Sequence, residues 1–303
     1  MPSGELSSPT VRRRRLAAEL RAIREGMGRS GDAVAAALKW SPSKISRYER
    51  AKTSLPPKEI ERLLDYYKVG GEHRRMLLAL ARDATQKGWW EEPEYSNTIA
   101  DDYRQFIGLE HEATSVAIWH VDVVPGLLQT EAYARRIISS YSRVEPVAPG
   151  AIGRLVRVRM RRQQVLERRG LHIEVVLDES VLQRKIGDSA IMREQLLHLA
   201  EIADRPNVEL RILPLDADHT VVGESFVVFG FGTEDEEAVL SDVVSTEQMR
   251  SGFILEGERE THLHRLAFSM LARASMDPAD SKARIIKAAA DWSQAQAQAQ
   301  AQA

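Results

Sequence analysis

Cysteine is absent from the 303 residues. That excludes a disulfide framework, a thiol nucleophile and thiolate metal sites, and it fits a reducing cytosol. No apolar run approaches the ~20 residues that a membrane-spanning helix requires. Arg12 to Arg15 could open a secretory leader, but Leu16-Ala17-Ala18-Glu19-Leu20-Arg21 puts charges where its apolar stretch should run. Catalytic constellations are missing too. The eight histidines show no HExxH spacing, Gly230-Phe231-Gly232 lacks the third glycine of a dinucleotide loop, and Gly-x-Ser-x-Gly is absent. No enzyme, metal or cofactor site is therefore expected, and the chain reads as cytoplasmic.

A strong excess of charge of one sign is also lacking. The formal net charge is −2, which argues against a nucleic-acid partner until the charges are placed along the chain. Residues 1–68 hold 15 Lys or Arg against 8 acids, a net of +7, and residues 69–303 hold 27 against 36, a net of −9. The average hides a basic first fifth and an acidic remainder, which face different partners.

The length suggests two domains. Met1 to Thr10, rich in Ser, Pro and Gly, reads as a disordered arm. From Val11 the spacing of Leu16, Leu20, Ile23 and Met27 predicts a helix that Gly26 and Gly28 stop. Helices follow over Asp32–Lys39, Pro42–Arg50, from Pro56-Pro57 and over Glu72–Ala84, the last with Met76, Leu77 and Leu80. Five short helices over 11–85 make one all-α domain. Residues 86–100 read as a linker that packs through Trp89 and Trp90. Residues 101–292 read as an α+β domain with a small sheet. Its predicted strands are Val116–Val124, Leu171–Leu177, Val208–Leu213, Ser225–Phe231 and Ala238–Val243, and Glu234–Glu237 form a hairpin tip. Residues 293–303 alternate Ala and Gln, a low-complexity tail that need not fold.

Ser30 to Glu49 has the layout of a helix-turn-helix. Small Ala35 lets two helices touch, while Val34, Leu38, Ile45 and Tyr48 pin the pair to its neighbours. The exposed start of the third helix, Ser41, Pro42, Ser43, Lys44 and Arg47, is then presented to a DNA major groove. Arg13, Arg14, Arg50 and Lys52 are candidate phosphate contacts. Ser41 serves first as an N-cap, and Glu49 ties helices together. For the basic run Arg154 to Arg169 three readings stay open: a solvated or internally paired face, an interface to an acidic partner, or extra DNA contact.

Ser41-Pro42-Ser43-Lys44-Ile45-Ser46-Arg47-Tyr48-Glu49-Arg50 resembles the recognition helix of XRE-type helix-turn-helix regulators. Lys39 stands where that family has a turn glycine, so it must adopt an unusual backbone or the turn is rebuilt. Val124-Pro125-Gly126-Leu127-Leu128-Gln129-Thr130-Glu131-Ala132-Tyr133, Arg159-Met160-Arg161-Arg162-Gln163-Gln164 and Arg205-Pro206-Asn207-Val208 resemble the C-terminal domain of actinobacterial WhiJ-like, antitoxin-like regulators. The resemblance implies a nucleoid-associated transcription regulator that reads a double-stranded DNA operator, is modulated through its C-terminal domain and acts with a small acidic partner protein. A homodimer is expected. The alternative is an antitoxin-like protein that neutralises a small partner and autoregulates its operon.

Overall fold

The structure is a computed structural model that describes residues 9–51, 53, 55–84, 88–96, 98–144, 146, 148, 150–219, 223–232, 242–247 and 252–301. Five helices come first: α1 (Pro9–Gly26), α2 (Gly31–Leu38), α3 (Pro42–Glu49), α4 (Pro57–Tyr66) and α5 (Gly71–Asp83). Leu16, Leu20, Val34, Ile45, Ile60, Leu64 and Leu77 interlock as their common core. Two methionines that mark these helices in the sequence are not part of it. Met27 lies past the end of α1 and is 40% exposed, and Met76 is 50% exposed. The inward face of α5 is set by Leu77 and Ala81, four residues apart, so a side chain just before Leu77 points away.

Residues 88–96, within the stretch read as a linker, hold two short helical turns. A 3-10 turn at Trp89–Glu91 leads into α6 (Pro93–Ser96). Trp90, Tyr95 and Ile99 form a buried cluster with Ile107 and Val158 of the following domain. Thereafter come α7 (Asp101–Glu112), β1 (Ser115–His120), α8 (Glu131–Tyr141), α9 (Ala151–Arg162), β2 (His172–Asp178), α10 (Ser180–Gln183) and α11 (Ser189–Ile202). The chain then runs through β3 (Val208–Leu213), β4 (Phe226–Gly230), β5 (Val243–Glu247), β6 (Gly252–Glu256), α12 (Glu258–Ala274) and α13 (Pro278–Ala301).

The architecture is an all-helical region followed by an α+β region built on one mixed sheet of six strands, ordered β3-β2-β1-β4-β5-β6. β1, β2 and β3 run parallel, and β4, β5 and β6 continue antiparallel from β1. Both faces are covered. Val116, Ile118, Ile173, Val175, Val227 and Phe229 point to the face packed by α7, α8, α11 and α13. Ala117, Trp119, Val176, Phe226 and Val228 point to the face under α12, against Phe268 and Leu271. Residues that alternate in sequence thus go to opposite cores, which is why these strands read as continuous apolar runs.

Two expectations are corrected. Val243 begins β5 instead of ending a strand, and the predicted span 238–241, like the run Glu234–Glu237, lies outside the described residues. α13, capped by the Asp277 carboxylate accepting the Asp280 N–H at 2.9 Å, continues past Trp292 to Ala301. Alanine is the best helix former and glutamine a good one, so the repeat extends a helix already nucleated.

Phe229 is fully buried and meets Phe106 edge-on at 5.2 Å between ring centroids. Phe229→Ala is expected to destabilise the α+β region by about 3–5 kcal/mol, whereas Met76→Ala should change stability by less than about 0.5 kcal/mol. Urea unfolding of both variants checks the pair.

Candidate nucleic-acid interface

α2 and α3 are joined by three residues whose backbone geometry is set at Lys39. Ser30 caps α2, its hydroxyl accepting the Ala33 N–H at 3.2 Å. At the other end Lys39 takes the left-handed conformation with φ 56° and ψ 41°. Its N–H donates to the Ala36 carbonyl at 3.2 Å, and the Trp40 N–H to the Ala35 carbonyl at 2.8 Å. This is the Schellman pattern that ends helices, built here on a lysine in place of a glycine. Arg62 adds a bond to the Leu38 carbonyl at 2.9 Å and lies over the Trp40 ring. The turn is kept, not rebuilt.

Pro42 in the first turn of α3 leaves no N–H unsatisfied there. Ile45 and Tyr48, three apart, are buried and fix which face of α3 looks outward. Ala35 is fully buried, and a Cβ added at Gly31 would sit 3.6 Å from Ile45, so small residues set how closely the two helices approach. The outward face carries Ser41, Pro42, Ser43, Arg47 and Arg50, all exposed. Ser41 holds the N-cap position, but its hydroxyl is shared with Ser43 at 3.0 Å and makes no capping bond. Arg47 and Arg50 have no side-chain partner among the described residues.

Lys44 stands apart from that group. Its ammonium pairs with Glu59 of α4 at 2.5 Å and lies 4.5 Å from the centre of the Trp40 ring. The Tyr48 hydroxyl donates to the same carboxylate. Burial and the bond to Glu59 push the Tyr48 hydroxyl up, so it remains a neutral donor. Glu49 ties helices together as expected, accepting from Arg24 Nε at 2.6 Å and Nη2 at 2.9 Å.

Arg13 and Arg14 are not brought to this face. Arg13 pairs with Glu91 at 2.9 Å and donates to the Ala84 carbonyl at 3.2 Å. Arg14 reaches Gln105 of α7 at 3.4 Å, and burial lowers its pKa to about 10. Arg12 is buried against the Asp83 carbonyl at 3.2 Å. The expectation of phosphate contacts there is corrected: Val11 enters the main core beside Phe106 and Leu109, and Arg13 and Arg14 reach Glu91 and Gln105, past the end of α5. Lys52 lies outside the described residues.

The second basic run is mostly engaged internally. Arg154 bonds Thr98 at 3.0 Å, Arg161 bonds the Tyr95 hydroxyl at 3.2 Å and lies over the Trp89 ring, and Arg168 donates to the His111 and Ala113 carbonyls. Arg162 is held by the Glu110 carboxylate at 2.9 and 2.6 Å. Of the three readings, the structure supports the internally paired face. Trp89 and Trp90 likewise serve packing.

Two measurements check the turn and its brace. An L-residue in the left-handed region is disfavoured by about 1–2 kcal/mol, and glycine returns part of that through its freer unfolded chain. Lys39→Gly should therefore stabilise the helical region by about 0.5–1 kcal/mol in thermal unfolding. Burial pushes the Glu59 carboxyl up, but bonds from Lys44 and Tyr48 outweigh it and leave its pKa below the ordinary 4.5. A depressed native pKa gives stability that is complete above the unfolded value and lost as pH falls through the folded one. The unfolding midpoint of the helical region should thus fall with acidification below 4.5, and Glu59→Gln should flatten that dependence.

Comparison with known proteins fits this division. Residues 15–77 match a helix-turn-helix domain, the segment that holds α2, the Lys39 turn and α3. Residues 103–287 match a family described as a domain of unknown function, DUF5753. No curated protein and no solved structure matches. Among the described residues no helix is long and apolar enough to cross a membrane. With more than half of its length inside that match, the chain belongs to the DUF5753 family, and it carries a helix-turn-helix domain ahead of the DUF5753 region.

Proposed function

We propose that the protein is a sequence-specific DNA-binding transcription regulator that docks α3 in the major groove. One observation carries the reading: Arg47 is exposed on α3, with no side-chain partner among the described residues, opposite a buried face of Ile45 and Tyr48. A guanidinium so placed matches the O6 and N7 acceptors of guanine. Arg50, one residue beyond α3, is suited to a phosphate, and Ser41 and Ser43 stand at the helix start, where N–H groups and the helix dipole favour a phosphate. Lys44 contributes in a second way. Held by Glu59, it braces α3 against α4.

The α+β region is read as the sensing part of the same molecule and as the place where two copies join. A two-fold dimer would read half-sites about one helical turn apart. The localisation that follows is the nucleoid of the cytoplasm.

Arg47→Ala should weaken binding to a selected operator by about 1–3 kcal/mol and relax one base position. Arg50→Ala should weaken binding to all sequences alike and reduce the salt dependence by about one counterion. Operators are first selected from random DNA with the full chain, then titrated in gel shifts. If both variants bind the operator as the parent does, α3 is not the reading element.

A further inference from the structure

A second set of chemistry-bearing side chains converges inside the α+β region, away from α3. At the carboxyl end of β1 lies a cavity of about 60 Å³. β1 is the strand at which the sheet turns round: β2 and β3 extend it on one side and β4 starts it on the other. Space outside the carboxyl ends of parallel strands is a common place for ligands in α/β sheets. Ile118 and Val227, register partners on β1 and β4, line the apolar wall with Phe106 of α7.

The polar side of the cavity is unbalanced. Glu110 lines it, but both its oxygens are taken by Arg162. Arg159, one turn earlier on α9, donates to Gln129 Oε1 at 2.9 Å, and its Nε is buried with no hydrogen-bond partner. No carboxylate pairs with Arg159 among the described residues. His120, the last residue of β1, is 7% exposed, and its Nδ1 is likewise buried and unbonded, 3.7 Å from Asp122 Oδ1. A guanidinium with a buried, unbonded Nε and no carboxylate partner among the described residues thus faces one small cavity with an apolar wall, while the imidazole beside it is paired with Asp122. Buried polar atoms are nearly always satisfied, so the unbonded Nε calls for an explanation.

We propose that this cavity binds a small organic carboxylate. Its oxygens would accept from the Arg159 guanidinium, and its apolar body would lie against Ile118, Val227 and Phe106. One uncompensated guanidinium matches one negative charge, and the small volume with an apolar wall disfavours a phosphate dianion. The proposal deepens the reading of the α+β region as a sensor by naming the chemistry it senses. It is tested without DNA, so that failure of the α3 reading leaves it standing.

The test is calorimetric titration of the full chain, at fixed ionic strength in chloride, with acetate, butyrate, benzoate and inorganic phosphate. At least one carboxylate should bind saturably and tighter than phosphate. Arg159→Met should weaken it ten-fold or more. Gly126→Ala should do so too while leaving the fold intact, because the added carbon meets Arg159 Nε at 3.6 Å and Arg162 Nη1 at 3.5 Å, both ordinary contacts. Absence of saturable carboxylate binding, phosphate binding tighter than every carboxylate, or titrations unchanged by both variants would each overturn the proposal. If Arg159→Met does not fold, Gly126→Ala decides alone.

Discussion

The rest of the α+β region is organised around the buried pair of Arg162 and Glu110. Their side chains are 5% and 2% exposed, and the contact is bidentate, at 2.9 and 2.6 Å. Burial works against both charges, yet the carboxylate outweighs it and holds the guanidinium above its ordinary pKa. Such a pair adds little net stability relative to apolar residues of the same shape, but either partner left alone would be a bare buried charge, worth several kcal/mol. Its contribution is specificity of arrangement. Arg162 also donates to the Tyr103 hydroxyl and lies over the Phe106 ring, so the end of α9 is locked to three successive turns of α7. α7 in turn packs Phe106 and Leu109 beside Val11 of α1 and offers Gln105 to Arg14. The helix that opens the helix-turn-helix region is thereby attached to the helix that walls the cavity.

The same pair explains how one helix can carry so many arginines. Arg162 takes the only carboxylate of the cavity lining, and Arg154 and Arg161 are turned to the 88–100 stretch through Thr98, Tyr95 and the Trp89 ring. Arg159 is the one that faces the cavity with an unsatisfied donor. Much of a run of basic residues that resembles a charged surface is therefore a set of internal ties. Net charge along a sequence does not distinguish the two cases, because most of the partners are carbonyls, hydroxyls and aromatic faces that carry no charge of their own.

The elements were legible wherever period and punctuation agreed. Val208–Leu213 is a strand at its predicted bounds, and α3 begins at Pro42, where Ser41-Pro42 marks a start. The misses have separate physical causes. Met27 and Met76 are apolar, but a helix buries only the arc its neighbours cover, and for α5 that arc is centred on Leu77 and Ala81. β6 begins at glycine and joins the sheet through long-range pairing to β5, which no local signal encodes. The Ala/Gln repeat carries high helix propensity that low complexity concealed. At the candidate site, the exposure of Arg47 and Arg50 was legible because a helix start with a buried opposite face can be read from spacing. Arg13 and Arg14 were misplaced because a basic run before a helix-turn-helix is compatible with DNA and with a domain junction alike, and Glu91 decides between them only in three dimensions. His120 and Arg159 stand 39 positions apart in sequence, and nothing but the sheet and α9 brings them to one cavity.

The charge division acquires a sharper meaning from these placements. The +7 of residues 1–68 overstates what DNA would meet, since Arg12, Arg13, Arg14 and Arg24 are engaged with carbonyls, carboxylates or Gln105. What remains on the presented face is Arg47 and Arg50, with Lys44 already paired. The acidic remainder, −9 over residues 69–303, repels phosphates within about a Debye length. On the proposed reading, non-specific binding is then weak because few counterions are released, and discrimination falls on the few side chains that reach base edges. A reader of this kind depends on the orientation of α3 more than on total charge, and that orientation rests on the left-handed Lys39, the Glu59 brace and the buried face of Ile45 and Tyr48.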